Sequence, residues 1–226
     1  MIELGTLIGE PVSHGFFVRA LVAGILVGTV CAVVGTYVVL KGLAFIGDAI
    51  SHAAFPGIVA SYILGAPYLL GAAIAAVATA LGIGYVTRRA RIRTDTAIGV
   101  LFAGTFAFGI FLFSTIHAYV GDLFSFLFGY LLAISADDLL ALGILSGLVL
   151  AVVIVLWKEL LYATFDPLGA AASGLPVARL DDLFLTLIAL TIVVSLQAVG
   201  IILVVAMLVT PAATADEYSS WPVCMS

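Results

Sequence analysis

From Ala49 to Thr87 the chain carries no Asp, Glu, Lys or Arg, and the same holds for Ala20 to Leu40, Thr96 to Gly121, Leu139 to Trp157 and Leu183 to Ala215. Uninterrupted runs of this kind suit a bilayer. A helix crossing the hydrocarbon needs about 20 apolar residues, because its backbone must satisfy itself where no water is available. A surface helix of a soluble protein would instead carry a polar face along its whole length. With 64% hydrophobic and 9% charged residues and a mean hydropathy of +1.33 over 226 residues, no soluble fold accommodates the chain.

The runs define the architecture. Ala20 to Leu40 makes one crossing, and Ala49 to Thr87 makes two, broken at Gly65, Ala66 and Pro67. Thr96 to Gly121 and Leu139 to Trp157 supply two more. Leu123 to Ala136 is too short to cross and reads as a re-entrant or interfacial half-helix. Leu183 to Ala215 is too long for one upright helix and short for two, with Gly200 and Pro211 inside, so a broken helix is expected there. The prediction is an all-α polytopic bundle of about 6–7 segments with re-entrant or broken helices, as one membrane domain over residues 1–215 and an irregular tail over 216–226.

Four of the eight basic residues, Arg88, Arg89, Arg91 and Arg93, share one loop, which the positive-inside rule assigns to the cytoplasm. Lys41, Lys158 and Arg179 then fall on the same side, whereas the N-terminus and the stretch from His117 to Asp138 fall outside. Arg19, near the outer end of the first helix, can snorkel to the interface. The first apolar stretch lacks a basic leader and reads as a retained segment.

The same composition excludes several functions. A net charge of −5 argues against nucleic acid as a partner and leaves membrane lipid as the surrounding one. Cys31 and Cys224 are too far apart in character to suggest a disulfide framework or a cysteine metal site. No H-E-x-x-H, G-x-S-x-G or G-x-x-x-x-G-K-[ST] motif occurs, so catalysis is not indicated and any ATP dependence must come from another subunit.

Ionisable residues inside apolar segments are expensive and few here. Asp48 and His52 stand four apart and share a helix face, offering oxygen and nitrogen donors of the kind that bind manganese, iron or zinc. The plainer alternative has Asp48 capping its helix and His52 bonded to a carbonyl. Pro56 and Gly57 allow a kink beside the pair. Gln197 either bridges helices or lines a route, and His14, His117 and Asp122 read as outer-loop residues. On the cytoplasmic side, Asp166 as cap and Pro167 at the first helical position start a short helix that Gly174 and Pro176 stop, over about 166–177, which is either a docking element or an ordinary capped loop helix.

The segments GDAISHAAFPG, RRARIRTDTAIGVLFAGTFAFGIFL, LFSFLFGYLLAIS, FDPLGAAASGLPV and VGIILVVAMLVTPAATA, taken together and in order, resemble the permease subunit of bacterial ABC importers for manganese, zinc or iron. The resemblance covers residues 16 to 215. It implies a type II ABC importer-like fold in the bacterial cytoplasmic membrane, a homodimer, a cytoplasmic ATP-binding subunit, and an extracellular or periplasmic metal-binding receptor. It further implies Asp48 and His52 as metal contacts, Asp166, Pro167, Gly174 and Pro176 as the ATPase-coupling element, and no resident cofactor beyond the divalent ion carried. Members of that family usually continue past PAATA with further membrane helices, whereas this chain turns into DEYSSWPVCMS, which reads as a C-terminal truncation. Two rivals remain at this stage: a proton-driven carrier using Asp48 and His52, and an inactive membrane scaffold.

Overall fold

The computed structural model describes residues 15–116, 129 and 134–224. His14, His117, Asp122 and most of the expected half-helix at 123–136 lie outside them. Among the described residues there are eight helices and no strand: α1 Gly15–Leu40, α2 Ile46–Leu64, α3 Tyr68–Ala90, α4 Thr94–Ser114, α5 Ala136–Val155, α6 Trp157–Phe165, α7 Pro167–Ala172 and α8 Val177–Cys224. Five stretches are long and apolar enough to cross a membrane, namely α1, α3, α4, α5 and Val177–Ala215 of α8.

The exception among the long helices is α2. Its 19 residues would span about 28 Å, enough to cross, but Asp48, Ser51, His52 and Ser61 dilute its hydropathy. The fold shields this polar helix, burying most of it between α3, α4 and the neighbouring helices. Lipid offers no hydrophobic gain for helix contact, so close backbone approach matters, and small residues provide it. A Cβ on Gly57 would collide with the Gly71 carbonyl of α3, and one on Gly109 of α4 would sit 2.8 Å from the Phe55 ring and 3.0 Å from Pro56. Pro56 does not interrupt α2, which runs through it, and the Pro56–Gly57 pair marks where α3 and α4 press against α2.

Connections follow the local chemistry. After α1, Gly42 at φ 67° and the bonds Gly42 N–H to Val39 O and Leu43 N–H to Val38 O form a left-handed helix stop. The same pattern at Gly65 closes α2, at the expected break. Arg88 and Arg89 lie in the last turn of α3, where the helix dipole favours cations. Ser135 and Asp138 form a capping box that opens α5.

The central post is α8, which runs antiparallel to α1, its Asp181 reaching Lys41 and its Ser195 Oγ lying 3.6 Å from Cys31 Sγ. Leu208 nevertheless comes back to α1, since a Cβ on Gly35 would collide with its carbonyl. A straight helix would rise about 20 Å between residues 195 and 208, whereas Cys31 and Gly35 are one turn apart. The helix therefore folds back at Gly200, whose φ 78° and ψ 169° are accessible to glycine alone. Its second half packs Val204, Leu208 and Ala212 inward and exposes Ile202 and Leu203. The break expected in this run is thus at Gly200, and Pro211 is carried within the helix. The stretch read as an irregular tail from 216 is helical through Cys224. An existing hydrogen-bond ladder extends at little cost through Ala212, Ala213 and Ala215, independent of any apolar period.

Candidate functional site

Asp48 occupies the first turn of α2 and His52 the second, so one face of the helix presents both. His52 Nε2 lies 3.5 Å from Asp48 Oδ1, and their side chains are 28% and 51% exposed. Neither plain role is taken up. The residue at the helix cap is Phe45, and the one polar side-chain contact that Asp48 makes among the described residues is to His52. His52 makes no carbonyl hydrogen bond there, while the neighbouring Ser51 hydroxyl donates to Gly47 O at 2.7 Å.

The imidazole is fixed by rings instead. Phe102 and Phe106 of α4, one turn apart, meet it edge-on with centroids 5.4 and 5.3 Å away. Phe55 of α2 leans on Phe106 at 6.3 Å and on Phe113 at 6.0 Å, extending the same wall. Such a wall sets the ring's orientation without competing for its nitrogens. In a tetrahedral shell with bonds of about 2.1 Å, neighbouring donors are about 3.4 Å apart. The observed N···O separation of 3.5 Å matches that spacing and equally that of a plain carboxylate–imidazole contact. Among the described residues no group of three or more His, Cys, Asp and Glu assembles, so these two donors stand without a third side-chain ligand from this chain's described part.

Depth follows from α8. Leu208 reaches both Gly35 and Gly47, which puts Gly47 at the height of Gly35, about 7.5 Å before α1 ends. The pair thus lies in the half of the bundle that ends at Lys41 and Arg88, with His52 partly buried and Asp48 half-exposed. Gln197 sits at the other end, where its amide donates to Asp138 Oδ1 at 2.8 Å. Of its two expected roles, the one realised is bridging helices. A Cβ on Gly129 would lie 2.5 Å from the carbonyl carbon of Val199, so the Gly129 backbone lies close against the α8 break.

The cytoplasmic element takes the form its residues dictate. Asp166 Oδ1 accepts the Gly169 N–H at 2.8 Å, Pro167 occupies the first position of α7, and Gly174 at φ 88° closes it through Leu175 N–H to Ala170 O. Pro176 then opens α8, its carbonyl accepting from Arg179 and Leu180. The helix covers Pro167–Ala172 rather than the whole of 166–177, the remainder being the turn. Ala170 is buried against Ala163 and Leu180, while Phe165 and Leu168 are 68% and 85% exposed and face away from the bundle.

The charged joint beside this element escaped the sequence reading. Lys41, Arg88, Asp181 and Asp182 meet where α1 and α3 end and α8 begins, and only their expected placement on one side of the membrane was legible. The Phe102 and Phe106 wall also went unread, although its four-residue spacing was visible.

The model of the ABC 3 transport family matches residues 13–225. The chain belongs to the ABC 3 transport family. The match includes the segment after residue 215, in keeping with its helical structure. With its apolar helices, the chain is a multi-pass protein of the bacterial inner membrane and a transporter subunit. It is 46% identical to the manganese transport system membrane protein MntC of Halalkalibacterium halodurans over 95% of this chain and 74% of that protein. It is also 46% identical to the chelated iron transport system membrane protein YfeD of Yersinia pestis, over 93% and 71% respectively. The solved structure of PsaBC from Streptococcus pneumoniae in complex with Fab superposes with a TM-score of 0.77 at 38% identity, covering 94% of this chain and 74% of that one.

Proposed function

We propose that this chain is the membrane-spanning subunit of an ATP-driven importer of a divalent transition metal ion, with manganese and iron the leading cargoes and zinc the third. The observation that carries the reading is the Asp48–His52 pair, held at coordination distance in a long helix that is not among the apolar candidate spans, and left without other polar partners among the described residues. Two donors are what transit requires. An ion held in a complete rigid shell would not leave, whereas a carboxylate and an imidazole stabilise it and release it.

Asp48 is half-exposed on a membrane helix, and a carboxylate facing lipid is strongly unfavourable. A second copy of the chain supplies the cover, forming a homodimer whose pathway runs between the two pairs. In this reading a metal-binding receptor delivers the ion at the outer mouth, and a cytoplasmic ATP-binding subunit docks on α7, where Phe165 and Leu168 offer an apolar grip. ATP binding moves α7, the helices re-orient, and the pathway changes its open side. No resident cofactor is involved.

Uptake of radiolabelled manganese into vesicles holding the complete complex tests this. ATP-dependent uptake that disappears in Asp48→Ala and His52→Ala is expected. Equal uptake without the ATP-binding subunit would favour a proton-driven carrier, and undiminished uptake in both variants would remove the pair from the pathway.

A further inference from the structure

We infer that Asp181 and Asp182, with Lys41 and Arg88, form the mechanical joint through which movement of α7 reaches the Asp48–His52 pair. This rests on the reading above and adds the residues that carry the motion. The turn Ser173–Pro176 joins α7 to the base of α8, as Asp166 joins it to α6, so a displacement of α7 is delivered to the base of α8 as well as to α6. Asp181 and Asp182 are in its second turn. Being adjacent, they point about 100° apart and cannot serve one partner.

They serve two. Asp181 Oδ1 accepts from Lys41 Nζ at 2.6 Å, and Asp182 takes Arg88 Nη2 on both oxygens, at 2.8 and 2.9 Å. One carboxylate thereby ties α8 to the α1–α2 turn and the other ties it to the end of α3. The contact with α3 is built for closeness: a Cβ on Gly84 would stand 2.9 Å from Leu185 Cδ1 and 3.0 Å from Asp182 Oδ1. Lys41 is only 15% exposed, with its ammonium 5.5 Å over the Phe184 ring, which also takes the edge of Tyr37 at 5.9 Å.

The joint is firmly tied but not close-packed. A cavity of about 180 Å³ opens between Lys41, Thr87, Arg88, Asp181 and Phe184, and the Thr87 hydroxyl is buried beside it without a hydrogen-bond partner. Interdigitated apolar faces resist re-registering, because packed interiors are as dense as crystals. Directional ion pairs around a void transmit a pull and still let the base of α8 tilt. Lys41 passes that pull on without slack. The Gly42–Leu43 helix stop follows it directly, Ile46 N–H bonds Leu43 O, and α2 starts there with Asp48 in its first turn.

The test uses the complete complex in vesicles, with ATP hydrolysis and radiolabelled manganese uptake measured together for Lys41→Asp, Asp181→Lys and the double swap. Each single reversal is expected to keep hydrolysis while lowering ions moved per ATP by at least about 10-fold, within the range of ordinary coupling energies, and the swap to regain most of it. Asp181→Asn, which keeps the shape, gives the same comparison if a reversal fails to assemble. Unchanged coupling in the singles would overturn the joint. So would parallel loss of hydrolysis and uptake with no recovery in the swap, the mark of a contact that merely holds the fold. Failure of the parent reading looks different: the unsubstituted complex would show no ATP-dependent uptake, and the joint would fall with it.

Discussion

The Asp48–His52 pair and the charged joint at the base of α8 hold the main concentrations of polar contact in this apolar chain, and they are built on opposite principles. At the pair, two donors face each other across 3.5 Å with no third side chain from the described residues and an aromatic wall behind them. At the joint every charge has an opposite partner at 2.6–2.9 Å, drawn from a different helix. A group that must hold an ion for a moment is left incomplete, and a group that must pass on a force is made complete. The contrast predicts that damage to the pair abolishes function at intact stability, while damage to the joint and the neighbouring α7 shows in stability and coupling together.

The sharpest break is His52→Ala. Outer-sphere partners of metal ligands already matter 10- to 100-fold, so removal of a direct donor is expected to lower manganese uptake by about 100-fold or more. The melting temperature of the complex should move far less than uptake does, because among the described residues the one polar contact of the imidazole is Asp48 and its other contacts are the Phe102 and Phe106 rings. A large loss of thermal stability would assign His52 to the fold and dissolve the contrast. Next in size is Gly174→Pro. Gly174 stands at φ 88°, far from the proline value near −65°, and its N–H bonds Ala171 O. Strain and the lost bond together amount to about 3 kcal/mol at the α7–α8 turn. Uptake per ATP should fall while metal binding, read by equilibrium titration, persists; normal coupling would clear the turn of any role.

Gly84→Ala is expected to act more mildly and at the joint alone. Its new methyl meets Leu185 and the Asp182 carboxylate, and overfilling of this kind costs about 1–3 kcal/mol. Thermal unfolding should shift down and coupling with it, while metal binding is unchanged. A variant as stable as the parent would mean that α8 yields freely there and that the approach at Gly84 does not anchor the joint.

What was legible in the sequence is what depends on neighbours in the chain. Apolar run length revealed the crossings, four-residue spacing placed Asp48 beside His52, and Asp166, Pro167, Gly174 and Pro176 marked out α7 because caps and left-handed stops are local events. What was hidden depends on distant partners. Gly200 and Pro211 were equal candidates for a break, and the choice is made by Gly35, against which Leu208 must return. The partners of Asp181 and Asp182 were hidden, since nothing near them in the chain announces Lys41 and Arg88. The helix after residue 215 was missed for a related reason: apolar periodicity signals packing, and a helix can continue without it.

The smallest expected effect tests whether α7 is a preformed lever or a loop that orders on docking. Asp166 accepts the Gly169 N–H at 2.8 Å, and loss of such a cap typically costs about 1 kcal/mol. In a helix of six residues that is a large share of the local stability, though it is small against the whole bundle. Asp166→Ala should therefore leave global melting almost unchanged and speed amide exchange at Gly169 by about fivefold, whereas Asp166→Asn, which keeps an acceptor oxygen, should restore most of the protection. Ala170 is packed against Ala163 and Leu180, which holds α7 in place even when its first turn frays. Equal exchange at Gly169 in all three proteins would mean that this packing, and not the cap, keeps the lever formed, and the cap would then matter only when the ATP-binding subunit pulls on it.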